Sequence, residues 1–267
     1  MLSRLRFPFL IFFLILFAAS AAHAKKQETG FLDRSVVVNG TSYKYQVFIP
    51  ENWSPKQKWP IILFLHGAGE RADDGLIQTQ VGIARAIREH RDRIPAIVVL
   101  PQCRKDQWWT KAPMDDEAIA ALEAAAKEFH GDSDRTYLTG LSMGGYGTWY
   151  LAAKYPGRFA AIAVVCGGVL MPDAARVQAA EDVAPYTEAA KKVGGKTPTW
   201  IFHGADDPVV PVTESRKMND AMKALGGDAR YTEYPGVGHD SWNKAYDEAD
   251  LFTWMFSKSL SGNAAAK

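Results

Sequence analysis

Apolar residues in this chain come as short unbroken runs separated by longer, helix-spaced segments. Trp59–Leu65, Ala96–Leu100, Thr136–Leu141, Phe159–Val165 and Pro198–Phe202 are mainly apolar runs of strand length. Such runs fit parallel strands covered on both faces. Ala229–Tyr234 reads as a further strand. Near the start, Phe31–Val38 and Thr41–Ile49 flank Asn39-Gly40, a pair that favours a type I′ hairpin turn. The alternation in Tyr43-Lys-Tyr45-Gln-Val47 fits a half-exposed edge hairpin. Between the strands, Ala72–Arg93 reads as a loop and an amphipathic helix with Ile83, Ala86 and Ile87 on one side. Pro113–Phe129, Gly144–Tyr155, Val212–Leu225 and Trp242–Ser259 also read as helices. The acids Asp115, Asp116 and Glu117 suit the positive end of the Pro113 helix, and Gly131 stops it. This alternation predicts the α/β class: a doubly wound, mostly parallel sheet with an N-terminal antiparallel hairpin, in one domain over 25–260. Residues 167–197 carry no strand pattern, hold two possible short helices and are of a size for a small lid or an elaborated crossover. Residues 261–267 read as a disordered tail.

The first 24 residues stand apart. Arg4 and Arg6 form a basic start, Phe7–Ala19 is apolar, and Ala22-His23-Ala24 offers a small-residue cleavage site. That pattern predicts a signal peptide and a secreted or periplasmic protein, the alternative being an uncleaved anchor. The apolar run is shorter than the roughly 20 residues of a membrane-spanning helix. No cysteine stands near the cleavage site to carry a lipid. Removing the leader takes two of the 31 basic residues, leaving one fewer base than the 30 acids. A charge so close to balance recommends neither nucleic acid nor a membrane surface as partner.

Candidate chemistry centres on Gly140-Leu-Ser142-Met-Gly144. It fits G-x-S-x-G between a strand and a helix, where a serine on a strained turn is pushed clear of the backbone. Only small residues leave room for that turn. On such a fold the order is serine, acid, histidine, and only His203 and His239 follow Ser142. His203 sits at a strand end and reads as a packing residue that could serve the loop by hydrogen bonding. His239 lies in the glycine-rich loop Pro235–Trp242 after the last strand, where an imidazole can reach over the sheet edge. Asp206 and Asp207 compete as the acid. Pro208 pins the second, so Asp207 is the candidate, and Asp173, Glu181 and Asp182 are weaker ones. Main-chain donors for an oxyanion are expected at Met143, after the serine, and in the glycine loop after Leu65 at Ala68, with Gly69 close behind. His66 is expected to brace that loop, with Glu70 and Arg71 as a possible ion pair beside it. Gly69, Trp108, Trp109 and Trp242 are candidates for lining the substrate pocket.

Taken together and in order, Leu63-Phe-Leu-His-Gly-Ala-Gly-Glu-Arg71, Pro101-Gln-Cys103 with Trp108, Gly140–Trp149, Cys166-Gly-Gly168, His203-Gly-Ala-Asp-Asp207 and Gly238-His-Asp-Ser-Trp242 resemble a secreted α/β-hydrolase. The branch is that of carboxylesterases and "predicted peptidases", related to phospholipase/carboxylesterases, dienelactone hydrolase-like proteins and the catalytic domains of prolyl oligopeptidases. The resemblance covers nearly all of the chain beyond the leader. It implies Ser142, Asp207 and His239 as the triad and Ala68 and Met143 as the oxyanion hole. Export permits a disulfide between Cys103 and Cys166. In the usual strand order of that fold, however, two strands separate theirs, about 14 Å at ~4.8 Å per step. Bridged α-carbons stand only ~5.5–6 Å apart, so a bond would need the loops to close the gap.

The reaction so implied is hydrolysis of a carboxylic ester through an acyl-enzyme, with no metal and no cofactor: H-E-x-x-H, a P-loop and a dinucleotide fingerprint are all missing. Acyl or feruloyl esters of polysaccharides are candidate substrates. A peptidase or amidase using the same triad is the alternative, and a catalytically dead binding module is a third reading. An open site without residues for a large gating domain favours esters.

Overall fold

The structure, a computed structural model, describes residues 28–171, 182–194 and 197–265. The leader expected over residues 1–24 and part of the segment 167–197 lie outside the described residues. β1 (Gly30–Val38) and β2 (Thr41–Ile49) form the antiparallel hairpin. Asn39 and Gly40 turn it with φ of 50° and 78°, both positive as a type I′ turn requires. β3 (Trp59–Leu65), β4 (Ile97–Pro101), β5 (Gly131–Leu141), β6 (Ala161–Val165), β7 (Thr199–Gly204) and β8 (Ala229–Tyr234) complete an eight-stranded sheet. Its order is β1-β2-β4-β3-β5-β6-β7-β8, antiparallel from β1 to β4 and parallel beyond. The doubly wound sheet with its antiparallel N-terminal hairpin is the architecture that the sequence predicts.

Strand β3 shows why the central runs are apolar without alternation. Ile61, Leu63 and Leu65 enter one core, while Ile62 and Phe64 enter the other. Side chains alternate across a strand, so a strand covered on both faces must be apolar at every position. Each such side chain, fully buried, contributes about 1.5–3 kcal/mol. The first core also takes residues from α2 (Met114–Glu128), α3 (Met143–Lys154), α4 (Ala184–Val193) and α5 (Thr213–Ala224). The second takes them from α1 (Ile83–His90), α6 (Trp242–Asp247) and α7 (Leu251–Phe256).

Two expectations are corrected at the C-terminus. The helix read over Trp242–Ser259 is broken, because Glu248 adopts an extended backbone (φ −55°, ψ 123°) between α6 and α7. The tail expected from residue 261 is instead helical over α8 (Leu260–Ala265). The backbone N–H and the hydroxyl of Ser261 both donate to the Asp134 carboxylate, at 2.7 and 2.8 Å, and Asn263 donates to the Ala160 carbonyl at 2.7 Å. Small polar residues read as a tail, but here side-chain bonds tie them to the sheet. Cys103 and Cys166 are buried and free, and β3 and β5 lie between their strands. Among the described residues, no helix is long and apolar enough to cross a membrane.

Because β3 and β5 to β8 are parallel, the loops leaving them emerge at one edge of the sheet. There the backbones of β3 and α3 nearly touch: a Cβ added to Gly144 would stand 1.9 Å from the Leu65 carbonyl oxygen. Neither backbone can retreat without unseating the sheet. Replacing Gly144 by Ala should therefore destabilise the fold by about 3 kcal/mol or more. A lower urea midpoint at unchanged m-value would register the loss.

Candidate active site

Ser142 follows β5 at φ 52° and ψ −119°, a backbone that a serine adopts only under constraint. The constraint is visible: its N–H donates to the Val165 carbonyl at 2.9 Å, while α3 begins at the next residue. The strain lifts the hydroxyl out of the sheet. Its Oγ stands 2.8 Å from His239 Nε2, and His239 Nδ1 stands 2.7 Å from Asp207 Oδ2. The consistent assignment has Nδ1–H donating to the carboxylate and Nε2 accepting from the serine hydroxyl. The three residues come from the loops after β5, β7 and β8. Such a line can pass the serine proton to the imidazole while the carboxylate steadies the resulting charge.

The His239 loop reaches its place by crossing the end of β7. Gly204 permits this, since a Cβ there would meet the Gly238 and Val237 carbonyl oxygens at 2.2 and 2.3 Å. Ala205 and Asp206 then donate their amides to the Tyr234 and Val237 carbonyls, both at 3.0 Å. Asp206 is exposed, and the side chain of Asp207 is fully buried. Burial alone would raise the Asp207 carboxyl. Its hydrogen bonds with His203 and His239, and those from the Val210 and Val209 amides, outweigh burial and hold it well below the ordinary carboxylate range.

His203, expected at the strand end to pack and to serve the loop by hydrogen bonding, also reaches the acid. Its Nε2 stands 3.2 Å from the same Asp207 oxygen and 3.1 Å from the Val210 carbonyl. Its Nδ1 stands 2.6 Å from Ser215 Oγ on α5, so the hydroxyl can donate there and leave Nε2–H for the acid. The available signal was the four-residue spacing from His203 to Asp207 across a turn closed by Pro208. That spacing folds the loop back on the strand end.

The loop after β3 lies beside the serine. A Cβ on Gly67 would be 3.7 Å from Ser142 Cβ. Ala68 opens a short 3₁₀ turn (Ala68–Glu70) and Met143 opens α3. The first amides of a helix have no partner within it. The loop is braced by His66, which is fully buried: Nε2 accepts the Cys103 amide at 2.9 Å and Nδ1 faces the Gly67 carbonyl at 2.6 Å. Burial, reinforced by the charge of Arg71, pushes the His66 imidazole down to about 4 although the Gly67 carbonyl acts against this. Arg71 does not pair with Glu70 as expected. It donates to the carbonyls of Ala68 (3.0 Å) and Gln107 (3.4 Å), while Glu70 stands 4.0 Å from His66 Nδ1 and burial raises its carboxyl.

Of the expected pocket residues, Trp109 is misplaced. It is wholly buried, stacks edge-on against His66 at 5.0 Å and donates Nε1–H to the His66 carbonyl at 3.0 Å, so it supports the loop from below. Gly69 is exposed on the loop. Trp242 stands edge-on to His239 at 5.4 Å, and Trp108 lies partly exposed against Tyr146 at 6.3 Å. Trp108 and Tyr146 belong to the wall of an adjoining cavity of about 580 Å³. Ligating atoms of Cys166, Asp207 and His239 lie within 4.8 Å of one another. Asp207 and His239 are already engaged in the hydrogen bonds above, and burial pushes the Cys166 thiol up to about 12, keeping it protonated.

A family model described as "Putative esterase" matches residues 37–249. An uncharacterized secreted protein of Arthroderma benhamiae is 27% identical over 240 residues, 80% of this chain. The chain spans only 25% of that relative's length. Feruloyl esterase B of Thermothelomyces thermophilus is 24% identical, with 93% of this chain and 91% of that protein covered. Among solved structures, a thermostable esterase superposes with a TM-score of 0.72 at 31% identity, covering 86% of this chain and 63% of the other.

The buried His66 gives the fold a pH signature. Its folded value of about 4 lies below the ordinary ~6.5 of the unfolded chain. The unfolded state thus binds more protons between these values, and stability present above pH ~6.5 is lost as pH falls towards 4. The loss through this group is roughly 3 kcal/mol. Asp207 contributes separately, in a lower window that opens only near the ordinary carboxylate value of ~3.9. Urea unfolding across pH 4–7 should show a His66→Gln variant lacking the His66 slope, and an unchanged slope would contradict it.

Proposed function

The chain belongs to this esterase family, and we propose that it is a carboxylic-ester hydrolase with Ser142, His239 and Asp207 as its catalytic triad. One observation carries the reading: the unbroken line from Ser142 Oγ through both nitrogens of His239 to Asp207, with separations of 2.8 and 2.7 Å. In the first half, His239 Nε2 takes the proton of Ser142 as Oγ attacks the ester carbonyl. The carbonyl oxygen becomes negative and faces the Ala68 and Met143 amides, donors whose loss typically costs about 2.7–4 kcal/mol. Asp207 keeps Nδ1–H and stabilises the imidazolium. His239 then protonates the departing alkoxide, leaving an acyl group on Ser142. Water repeats the sequence, releasing the acid and restoring the serine.

For substrate we propose acyl or hydroxycinnamoyl esters, including those linked to polysaccharide. Support comes from a relative named as a feruloyl esterase that is covered over most of its length, and from the aromatic side chains of Trp108, Tyr146, Trp149 and Tyr150 that line the cavity along α3. We also propose that the protein is exported after loss of residues 1–24, a reading that rests on the leader pattern and on the secreted relative.

Replacing Ser142 or His239 by Ala, or Asp207 by Asn, should lower kcat for an aryl ester by about 10⁴-fold or more while the circular dichroism spectrum stays native. Substantial turnover by His239→Ala would show that the base is misassigned. Matched aryl anilides should be cleaved far more slowly than the esters; comparable rates would favour a peptidase.

A further inference from the structure

The cavity lined by Trp108 and Tyr146 is a groove with a direction. One wall is a single face of α3, where Tyr146, Trp149, Tyr150 and Ala153 recur at helical spacing. Pro185 and Ala189 of α4 form part of the facing wall. Tyr146 is one helical turn beyond the serine, and its amide donates to the Ser142 carbonyl at 3.1 Å. At 1.5 Å per residue, the groove runs from about 6 Å to roughly 16 Å from the serine along the axis of α3. Its volume of about 580 Å³ lies in the range of small-molecule sites.

The wall at Gly168 and Val169 is held in place by a buried carboxylate. Glu214 of α5 is fully buried, and its Oε2 accepts the amides of Val169 (2.8 Å) and Leu170 (3.0 Å). Its Oε1 accepts the hydroxyl of Tyr186, which lies on α4. One side chain therefore fastens the loop after β6 to the helix opposite α3, and the groove stands open before any ligand arrives. A preformed apolar slot spends little of a ligand's binding energy on ordering its walls.

Resting on the triad reading above, we propose that this groove is the specificity site of the esterase. It takes an elongated, mainly apolar group of the ester, about 10 Å long, laid along α3 with the reacting carbonyl at Ser142. An acetyl ester leaves the groove empty. An octanoyl or hydroxycinnamoyl ester fills it, and the buried contact raises kcat/KM.

Plugging the far end tests this without touching the chemistry. Ala153→Trp obstructs it from α3 and Ala189→Trp from α4, so either wall is probed independently. With aryl esters of acetic, octanoic and hydroxycinnamic acids, the unaltered protein should favour the two longer acids. Each variant should lower the ratio of long-ester to acetyl-ester kcat/KM by about tenfold or more while acetyl turnover changes little. An unchanged ratio in both variants would overturn the proposal. So would loss of acetyl turnover in both variants with the fold intact by circular dichroism, because the groove's end would then not be separable from the chemistry. No turnover of any ester by the unaltered protein would instead overturn the triad reading, and this proposal with it.

Discussion

A carboxylate stripped of water must be matched by donors or lose its charge, and Asp207 sets that condition for the rest of this structure. Its side chain has no solvent exposure, yet four groups keep it ionised: His239, His203 and the amides of Val209 and Val210. Each donor has its own structural cause. Pro208 turns the chain so that two successive amides face Oδ1. Ser215, on the first turn of α5, occupies the far nitrogen of His203. Gly204 lets the loop bearing His239 lie across the strand end. An imidazole tied to a charged, buried acid is held in one tautomer and one orientation.

Parallel strands make the rest of the geometry possible. Residues separated by 97 positions, Ser142 and His239, meet because every strand from β3 onward delivers its loop to the same edge. The fully buried strands fix where those loops start. Close backbone contacts, such as Gly144 against Leu65, then fix the heights of the loops to fractions of an ångström. The first turn of α5 links two functions, since Glu214 holds the groove wall and Ser215 holds the histidine behind the acid. The wall that meets a ligand and the acid that orients the imidazole are thus supported by adjacent residues.

The alternation of strands and helices and the turn at Ser142 were legible because their physics is local, whereas the strand order was implied only by the resemblance to α/β-hydrolases. Unbroken apolar runs of strand length fit doubly covered strands, and a serine flanked by glycines between a strand and a helix fits a tight turn. The remaining features depended on contacts between distant segments. Nothing in the adjacency of Trp108 and Trp109 says which faces the groove, and the carbonyl of His66 decides it by taking the Trp109 N–H. That His203 bonds to the acid as well as to the loop was not legible, because only the return of the chain at Pro208 brings the two together. Ser261 to Ala265 read as a tail because their partners, Asp134 and Ala160, lie more than a hundred residues away. The groove has no signature of its own in the sequence, since its walls come from four separate stretches.

The central claim is that Ser142 is a nucleophile made reactive by an imidazole that Asp207 holds in place. Mass spectrometry of tryptic peptides after exposure to a fluorophosphonate tests it most directly. The account predicts one adduct, on the peptide from Thr136 to Lys154 that carries Ser142, formed far more slowly when His239 is replaced by Ala. An adduct on another serine, or labelling of Ser142 at the same rate without His239, would contradict it.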